Sequence, residues 1–418
     1  MNKTRKIFVW IVSVTGIVSI CVLIYALRID NQKLMQISIP ISILMGVIRA
    51  LIAIIPLDKP KIPTLNPRIE TDINDNLPGN VPGKFHYFTG RKKYMREIHQ
   101  EFRPKNKNSS TRVLILSGLG GVGKSEIAKA YAIDFQKEYK YICWIDAEKE
   151  EGIRSAYTNF ATEYKLAQGI EKVDDIIKEV IDWMRNHYHW LFIFDNARNK
   201  ESIDKYIPNF NTGNILITSR YTQWEEFKQI NIEEFTNSEA CNFLKNYTEQ
   251  DNEEGLEELV EELGYFPLAL KHAGAYMKTN KTSYNKYLKE FRKNKTKKSQ
   301  KYLDRVTQIV AETLKTSFKF ILKKASRQLI NLCAFMSPKD INRQWFVEAS
   351  EKLPTPLRKA VKEEVMYNEV IAELTAYSLV TIDYAGNISI HRLVQDVIRN
   401  NLKKEQIKWR NYCVEIIR

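Results

Sequence analysis

RVLILSGLGGVGKS, residues 112–125, is followed directly by EIAKAYAIDF, residues 126–135. Arg112–Leu116 ends in four consecutive aliphatic residues, the pattern of a strand buried on both faces. Gly118 to Ser125 fits the spacing G-x4-G-K-[ST], and the residues after it carry helical spacing. Strand, glycine-rich loop and helix in that order make a phosphate-binding loop. Its glycines let successive backbone N–H groups point inward at phosphate oxygens, and the positive end of the following helix adds to them. Lys124 is placed to reach the β- and γ-phosphates, and Ser125 to offer its hydroxyl to Mg2+.

Working outward, a phosphate loop needs a second apolar strand that ends in an acid. WLFIFD, Trp190–Asp195, supplies it, and Asp195 falls at the carboxyl end, where ligands sit in an open α/β sheet. Asp195 is therefore expected to hold Mg2+, through a water or through Ser125. The next residue is Asn196, whose amide cannot take a proton from an attacking water, so slow or absent hydrolysis is expected. NILIT, Asn214–Thr218, reads as a further strand leading to Ser219 and Arg220. Arg220 either senses the γ-phosphate or closes a salt bridge on the sheet rim. YICWI, Tyr141–Ile145, followed by Asp146, is a fourth buried strand. Four short apolar strands separated by helical segments predict a parallel, doubly wound α/β sheet.

The whole chain has 418 residues, 44% of them hydrophobic, which sets it apart from disordered sequences and suggests several domains. Its five cysteines, Cys21, Cys143, Cys241, Cys333 and Cys413, stand singly. That spacing excludes a disulfide scaffold and the usual structural zinc patterns, and predicts a reduced, intracellular protein. A net charge of +14 admits a nucleic-acid partner, an anionic membrane surface or a merely lysine-rich composition.

Residues 1–57 differ from the rest. Ile7–Leu27 is uncharged and long enough to span a ~30 Å hydrocarbon core, and Ile37–Leu57 is a second apolar run, interrupted by Pro40, Gly46 and Arg49. Both are expected to be transmembrane helices. Lys3, Arg5 and Lys6 precede the first, and Lys59, Lys61 and Arg68 follow the second, so the positive-inside bias puts the N-terminus and everything downstream in the cytoplasm. Residues 58–84, with Pro60, Pro63, Pro67, Pro78 and Pro82, read as a tether.

Taken together, GLGGVGKS, WLFIFDNA and ILITSR resemble the NB-ARC family of STAND ATPases. FTGR, Phe88–Arg91, is similar to the motif whose backbone contacts adenine, which implies nucleotide contacts at Phe88, Gly90 and Arg91. The same resemblance places Gly118, Gly120, Gly121, Val122, Gly123, Lys124, Ser125 and Glu126 around the phosphates. It makes Lys124, Asp195, Asn196 and Arg220 the catalytic or sensing set, with Ser125 and Asp195 the metal ligands. GYFPLAL, Gly264–Leu270, resembles the motif whose proline, here Pro267, packs on adenine. SLVTIDYAGNISIHRLVQ, Ser378–Gln395, is similar to the hairpin and helix start of a winged-helix domain, in which His391 matches the histidine on the β-phosphate of ADP. Arg392 departs from the acid common in plant members, and Asn196 from the usual second acid.

The resemblance implies an α/β nucleotide-binding domain over residues 85–230, a helical domain over 231–300, and a winged-helix domain with a trailing helix over 301–418. It also implies ATP/ADP and Mg2+ as cofactors, a closed ADP state, and assembly into a homo-oligomer on activation. The two N-terminal helices are then either an effector that damages the membrane, in a defence response, or an anchor in membrane lipid. A DNA-binding transcription regulator is the alternative class, resting on the basic stretch RKNKTKKSQK, Arg292–Lys301. That stretch reads better as an exposed linker, so nucleic acid is disfavoured as a partner. Repeats that would recognise a trigger are not visible as 34- or 42-residue self-similarity. The trigger or sensor is expected in a longer chain or in another protein.

Overall fold

The computed structural model describes residues 79–83, 85–103, 112–207, 212–294, 305–383 and 385–417. The two apolar runs at 7–27 and 37–57, and most of the tether, lie outside them. Among the described residues no helix is long and apolar enough to cross a membrane.

The strands are β1 (Arg112–Ser117), β2 (Tyr141–Asp146), β3 (Trp190–Ala197), β4 (Asn214–Ser219) and β5 (Lys228–Asn231). They form one parallel sheet in the order β2-β3-β4-β1-β5. β4 therefore lies between the phosphate-loop strand and the acid strand, and the carboxyl ends of all three sit side by side. Four strands were expected. The fifth, KQIN, is an edge strand in which only Ile230 is buried, so it carries almost no apolar signal.

Successive side chains of the central strands point to opposite faces. On one face Leu114, Leu116, Leu191, Ile193 and Leu216 pack with Ile127 and Tyr131 of helix α2 (Lys124–Asp134), which lies behind α1 (Lys92–Phe102) in the sequence. On the other, Ile115, Phe192, Phe194, Ile215 and Ile217 pack with Tyr157 and Phe160 of α3 (Glu150–Glu163) and Val180 and Met184 of α4 (Val173–Asn186). Both faces are covered, which is why these strands are apolar throughout rather than alternating. The β2–β3 register sets Asp146 opposite Asp195. A register shift between Phe194 and Ala197 leaves Asn196 with φ 63°. Such a bulge at a strand end re-aims the flanking side chains.

The helical part begins with α5 (Asn237–Thr248), whose first turn is fixed by reciprocal bonds between Thr236 and Glu239. α6 (Leu256–Glu262), α7 (Pro267–Asn280) and α8 (Tyr284–Asn294) follow. Pro267 opens α7 at its first turn, where a missing N–H costs nothing. The basic stretch expected as a linker starts inside α8, where Arg292 pairs with Glu258 at 2.6 Å and Glu262 at 3.1 Å. Residues 295–301 of it lie outside the described residues.

The C-terminal part holds α9 (Arg305–Phe320), α10 (Lys324–Cys333), α11 (Arg343–Glu348), α12 (Leu357–Lys362), α13 (Glu364–Ala376), a hairpin of β6 (Thr381–Ile382) and β7 (Ile388–Ser389), α14 (Arg392–Leu402) and α15 (Gln406–Ile417). α9 packs on both α7 and α14, joining the helical and C-terminal parts. Ile341 and Ile388 exchange backbone hydrogen bonds at 3.0 and 2.9 Å, and Ile390 N–H donates to Pro338 O at 2.8 Å. The turn Ser337–Asp340 is thereby laced to the strand that leads into His391. Cys143, Cys241, Cys333 and Cys413 are buried free thiols, in keeping with the absence of a disulfide framework from the sequence spacing.

Candidate nucleotide and metal site

Three glycines give the phosphate loop its shape, Gly118, Gly121 and Gly123, with φ of 140°, 86° and 102°. Gly121 is also a close approach: a Cβ there would lie 3.0 Å from Leu268 Cδ2 and 3.2 Å from Phe266 Cε1. The loop thus rests directly on the GYFPLAL segment, beside Pro267. The buried Lys124 ammonium donates to Gly118 O and Leu119 O, both at 2.8 Å. Burial, and then the Arg220 guanidinium, push its pKa down to about 8, with Asp195 opposing. A phosphate arriving here meets a lysine with little solvation left to lose.

Asp195 is 3% exposed and fully engaged. Its Oδ1 accepts from Ser125 Oγ at 2.5 Å and Thr218 Oγ1 at 2.7 Å. Its Oδ2 accepts from Asn196 Nδ2 at 3.3 Å and lies 3.5 Å from Lys339 Nζ. Thr218 Oγ1 in turn accepts from Asn196 N at 2.9 Å. A carboxylate with two hydroxyls at a strand end is an all-oxygen donor set, the kind Mg2+ takes. Ser125 and Asp195 stand together as expected. Thr218, read only as the end of a strand, joins them because β4 neighbours β3. Asp146 and Lys339 were also missed: Lys339 reaches across from the C-terminal part to bridge Asp146, at 2.9 Å, and Asp195.

Arg220 is exposed, and its guanidinium lies against the loop, where a Cβ on Gly120 would come within 2.9 Å of Cζ. Among the described residues no carboxylate pairs with it, which disfavours the rim salt bridge. His391 caps α14, and its Nδ1 accepts from Leu393 N at 3.2 Å. It is open to the cleft yet surrounded by protein, and desolvation, then Arg220, Lys271 and Lys124, hold its pKa down to about 3. The ring is therefore neutral, with its proton on Nε2, a donor suited to a phosphate oxygen. Arg392 forms an ion pair with Glu148, on the segment leaving β2. A cavity of about 410 Å3 lies between these elements, lined by Arg198, Arg220, Arg392 and Arg399 among others.

In the segment expected to contact adenine, Gly90 has φ 70° and Phe88 is half-buried. The Arg91 side chain is committed to the protein's own backbone. It is buried, donating to Glu233 O at 2.8 Å, Glu234 O at 3.3 Å and Val122 O at 3.0 Å, while its own N–H donates to Glu239 Oε1 at 2.7 Å. Its contribution is to hold the loop and the start of the helical part to the first described segment. Glu126 accepts from Phe85 N at 3.3 Å and Lys129 Nζ at 2.9 Å. Burial would raise its carboxyl, but Lys129, Lys271 and the Phe85 N–H hold it below the ordinary value. Phe85, Tyr87, Phe243 and Tyr247 stack beside it.

Residues 91–254 match the NB-ARC domain family, and residues 320–407 match a domain of unknown function, DUF7779. A nucleotide-binding leucine-rich repeat (NLR)-like protein of Hyaloscypha variabilis (strain UAMH 11265 / GT02V1 / F) is 24% identical over 364 residues, 78% of this chain. The match spans only 36% of that relative's length. Among solved structures, a STAND protein with a tetratricopeptide repeat sensor from Pyrococcus horikoshii aligns with TM-score 0.52 and 14% identity. That alignment covers 81% of this chain and 46% of the other, a likeness of fold.

Proposed function

We infer that this chain, an NB-ARC P-loop NTPase of the STAND class, is a switch that reads ADP against ATP through one cleft. The observation that carries the reading is convergence. Lys124, Ser125 and Asp195 belong to the α/β part, where Ser125 and Asp195 are hydrogen-bonded; the phosphate loop rests on Leu268 and Phe266 beside Pro267 of the helical part; and His391 of the C-terminal part lies near enough to Arg220 and Lys124 to feel their charges. Val122, Gly123 and Glu126 line the same loop and helix start. A diphosphate would be held by Lys124 and the neutral His391 together, which favours the closed arrangement. A third phosphate would fall among Arg220 and His391, so its differential affinity favours opening. Mg2+, when bound, supplies charge neutralisation at the phosphates, and Ser125, Asp195 and Thr218 are the residues that would hold it. Asn196 supplies no base, so hydrolysis would be slow and regulatory rather than metabolic.

The wider reading assigns residues 85–230, 231–300 and 301–418 to nucleotide-binding, helical and winged-helix domains. It makes 7–27 and 37–57 membrane spans with the NTPase region in the cytoplasm, on the strength of their length and flanking charges. Opening would expose surfaces for homo-oligomerisation and gather those spans in the lipid, as a defence effector answering a trigger or sensor partner. The nucleotide reading is tested by mass spectrometry of the ligand that co-purifies with full-length protein. ADP or ATP is expected, and Lys124→Ala should weaken its retention by at least about tenfold, one charge-assisted contact to phosphate. Equal retention in wild type and variant would refute it.

A further inference from the structure

Lys339 is placed where only a cation is useful. Its ammonium lies 2.9 Å from Asp146 Oδ2 and 3.5 Å from Asp195 Oδ2. The two carboxylates face each other at the ends of β2 and β3 because the register pairs Asp146 with Asp195. Asp195 divides its oxygens, with Ser125 and Thr218 on Oδ1 and Lys339 on Oδ2. The lysine is on the turn Ser337–Asp340, 144 residues from Asp195, and that turn is bonded through Pro338 O to Ile390, next to His391. Lys339 and His391 therefore sit on one laced body, so that any movement of one would carry the other.

We propose that Lys339 is a tethered cation that stands in for the divalent metal at Asp195 while the C-terminal part is closed, so that metal binding and domain opening compete. This rests on the switch reading for its meaning, but not for its geometry. A divalent ion on Asp195 and an ammonium at this distance repel one another, and the side that gives way is the one on a movable part. A closed chain would then hold ADP with little need for metal, whereas a metal-bound nucleotide would have to expel Lys339 and, with it, His391.

The test is Mn2+ binding to full-length protein, read from the electron paramagnetic resonance signal of the free ion, with and without ADP. Lys339→Met keeps the chain's length and removes its charge, and Lys339→Arg keeps the charge. Lys339→Met should tighten Mn2+ binding by at least about fivefold, the high-dielectric Coulomb estimate for two unit charges roughly 4 Å apart, while Lys339→Arg stays near wild type. The tightening should vanish in Lys339→Met combined with Asp195→Asn, which locates the ion. Equal Mn2+ affinity in wild type and Lys339→Met, or tightening that survives Asp195→Asn, overturns the proposal. Tightening in protein that takes up neither ADP nor ATP sustains the lysine's role and refutes the switch reading instead.

Discussion

Lys124 carries two opposite pH dependences from one lowered pKa. Between pH 8 and the ordinary lysine value of 10.5 the unfolded chain holds a proton at this site that the folded chain has lost. Its contribution to folding stability therefore rises with pH across that window. Nucleotide binding runs the other way, because phosphate restores the charge and binding takes up a proton. Affinity should fall by up to about tenfold per pH unit above 8, as a calorimetric titration series in buffers of different ionisation enthalpy would show. Arg91 makes a different kind of prediction. Replacing it with Ala strands the carbonyls of Val122, Glu233 and Glu234, three sites on two separate segments. A loss on the order of 3 kcal/mol in chemical denaturation is expected, well beyond a surface arginine. Arg91 was legible in the sequence as part of a motif but not as a clamp. The motif says which residue stands there, and only the fold says that its guanidinium turns inward, over the Phe235 ring at 4.4 Å.

Elements were readable where apolar runs are long and opaque where geometry is made between them. β1 to β4 announced themselves because both sheet faces are covered, so each strand is a block of aliphatic and aromatic residues. β5 did not, since an edge strand has one neighbour and less to bury. Thr218 and Asp146 join the metal side of the site through strand adjacency and register, neither of which leaves a mark in one strand's own sequence. Lys339 is the extreme case: SPKD, Ser337–Asp340, is a polar turn with no periodicity, and its partners are 193 and 144 positions away. The contact between the phosphate loop and α7 yields a prediction at this scale. Gly121→Ala forces a side chain onto a φ of 86° and against Leu268 and Phe266. A cost of about 1–3 kcal/mol is expected, together with faster amide exchange in both the loop and the first turn of α7. Destabilisation confined to the loop would show that the two elements are not mechanically joined.

At the scale of the whole described molecule, ionic contacts cross from the C-terminal part to the ends of β2 and β3: Lys339 with Asp146 and Asp195, and Arg392 with Glu148. Glu148→Lys places like charges face to face and should raise protease sensitivity between α10 and α14. Arg392→Glu in the same chain should restore resistance, with a coupling of about 0.5–3 kcal/mol from the double-mutant cycle. Failure of the swap to rescue would mean that packing by α9, which touches both α7 and α14, holds the parts together without help from charge. The buried cysteines bear on how such motion can be watched. Burial raises the thiols of Cys143, Cys241 and Cys333, and that of Cys413 to about 12, so little thiolate is present for an alkylating reagent. Cys21 lies outside the described residues and is the one to replace first. A cysteine introduced at exposed Ser337, two residues before Lys339, would then be tagged far ahead of the native thiols. The fold has left its own sulfur chemistry silent, and a dye on that turn becomes a direct reporter of whether the cleft is shut.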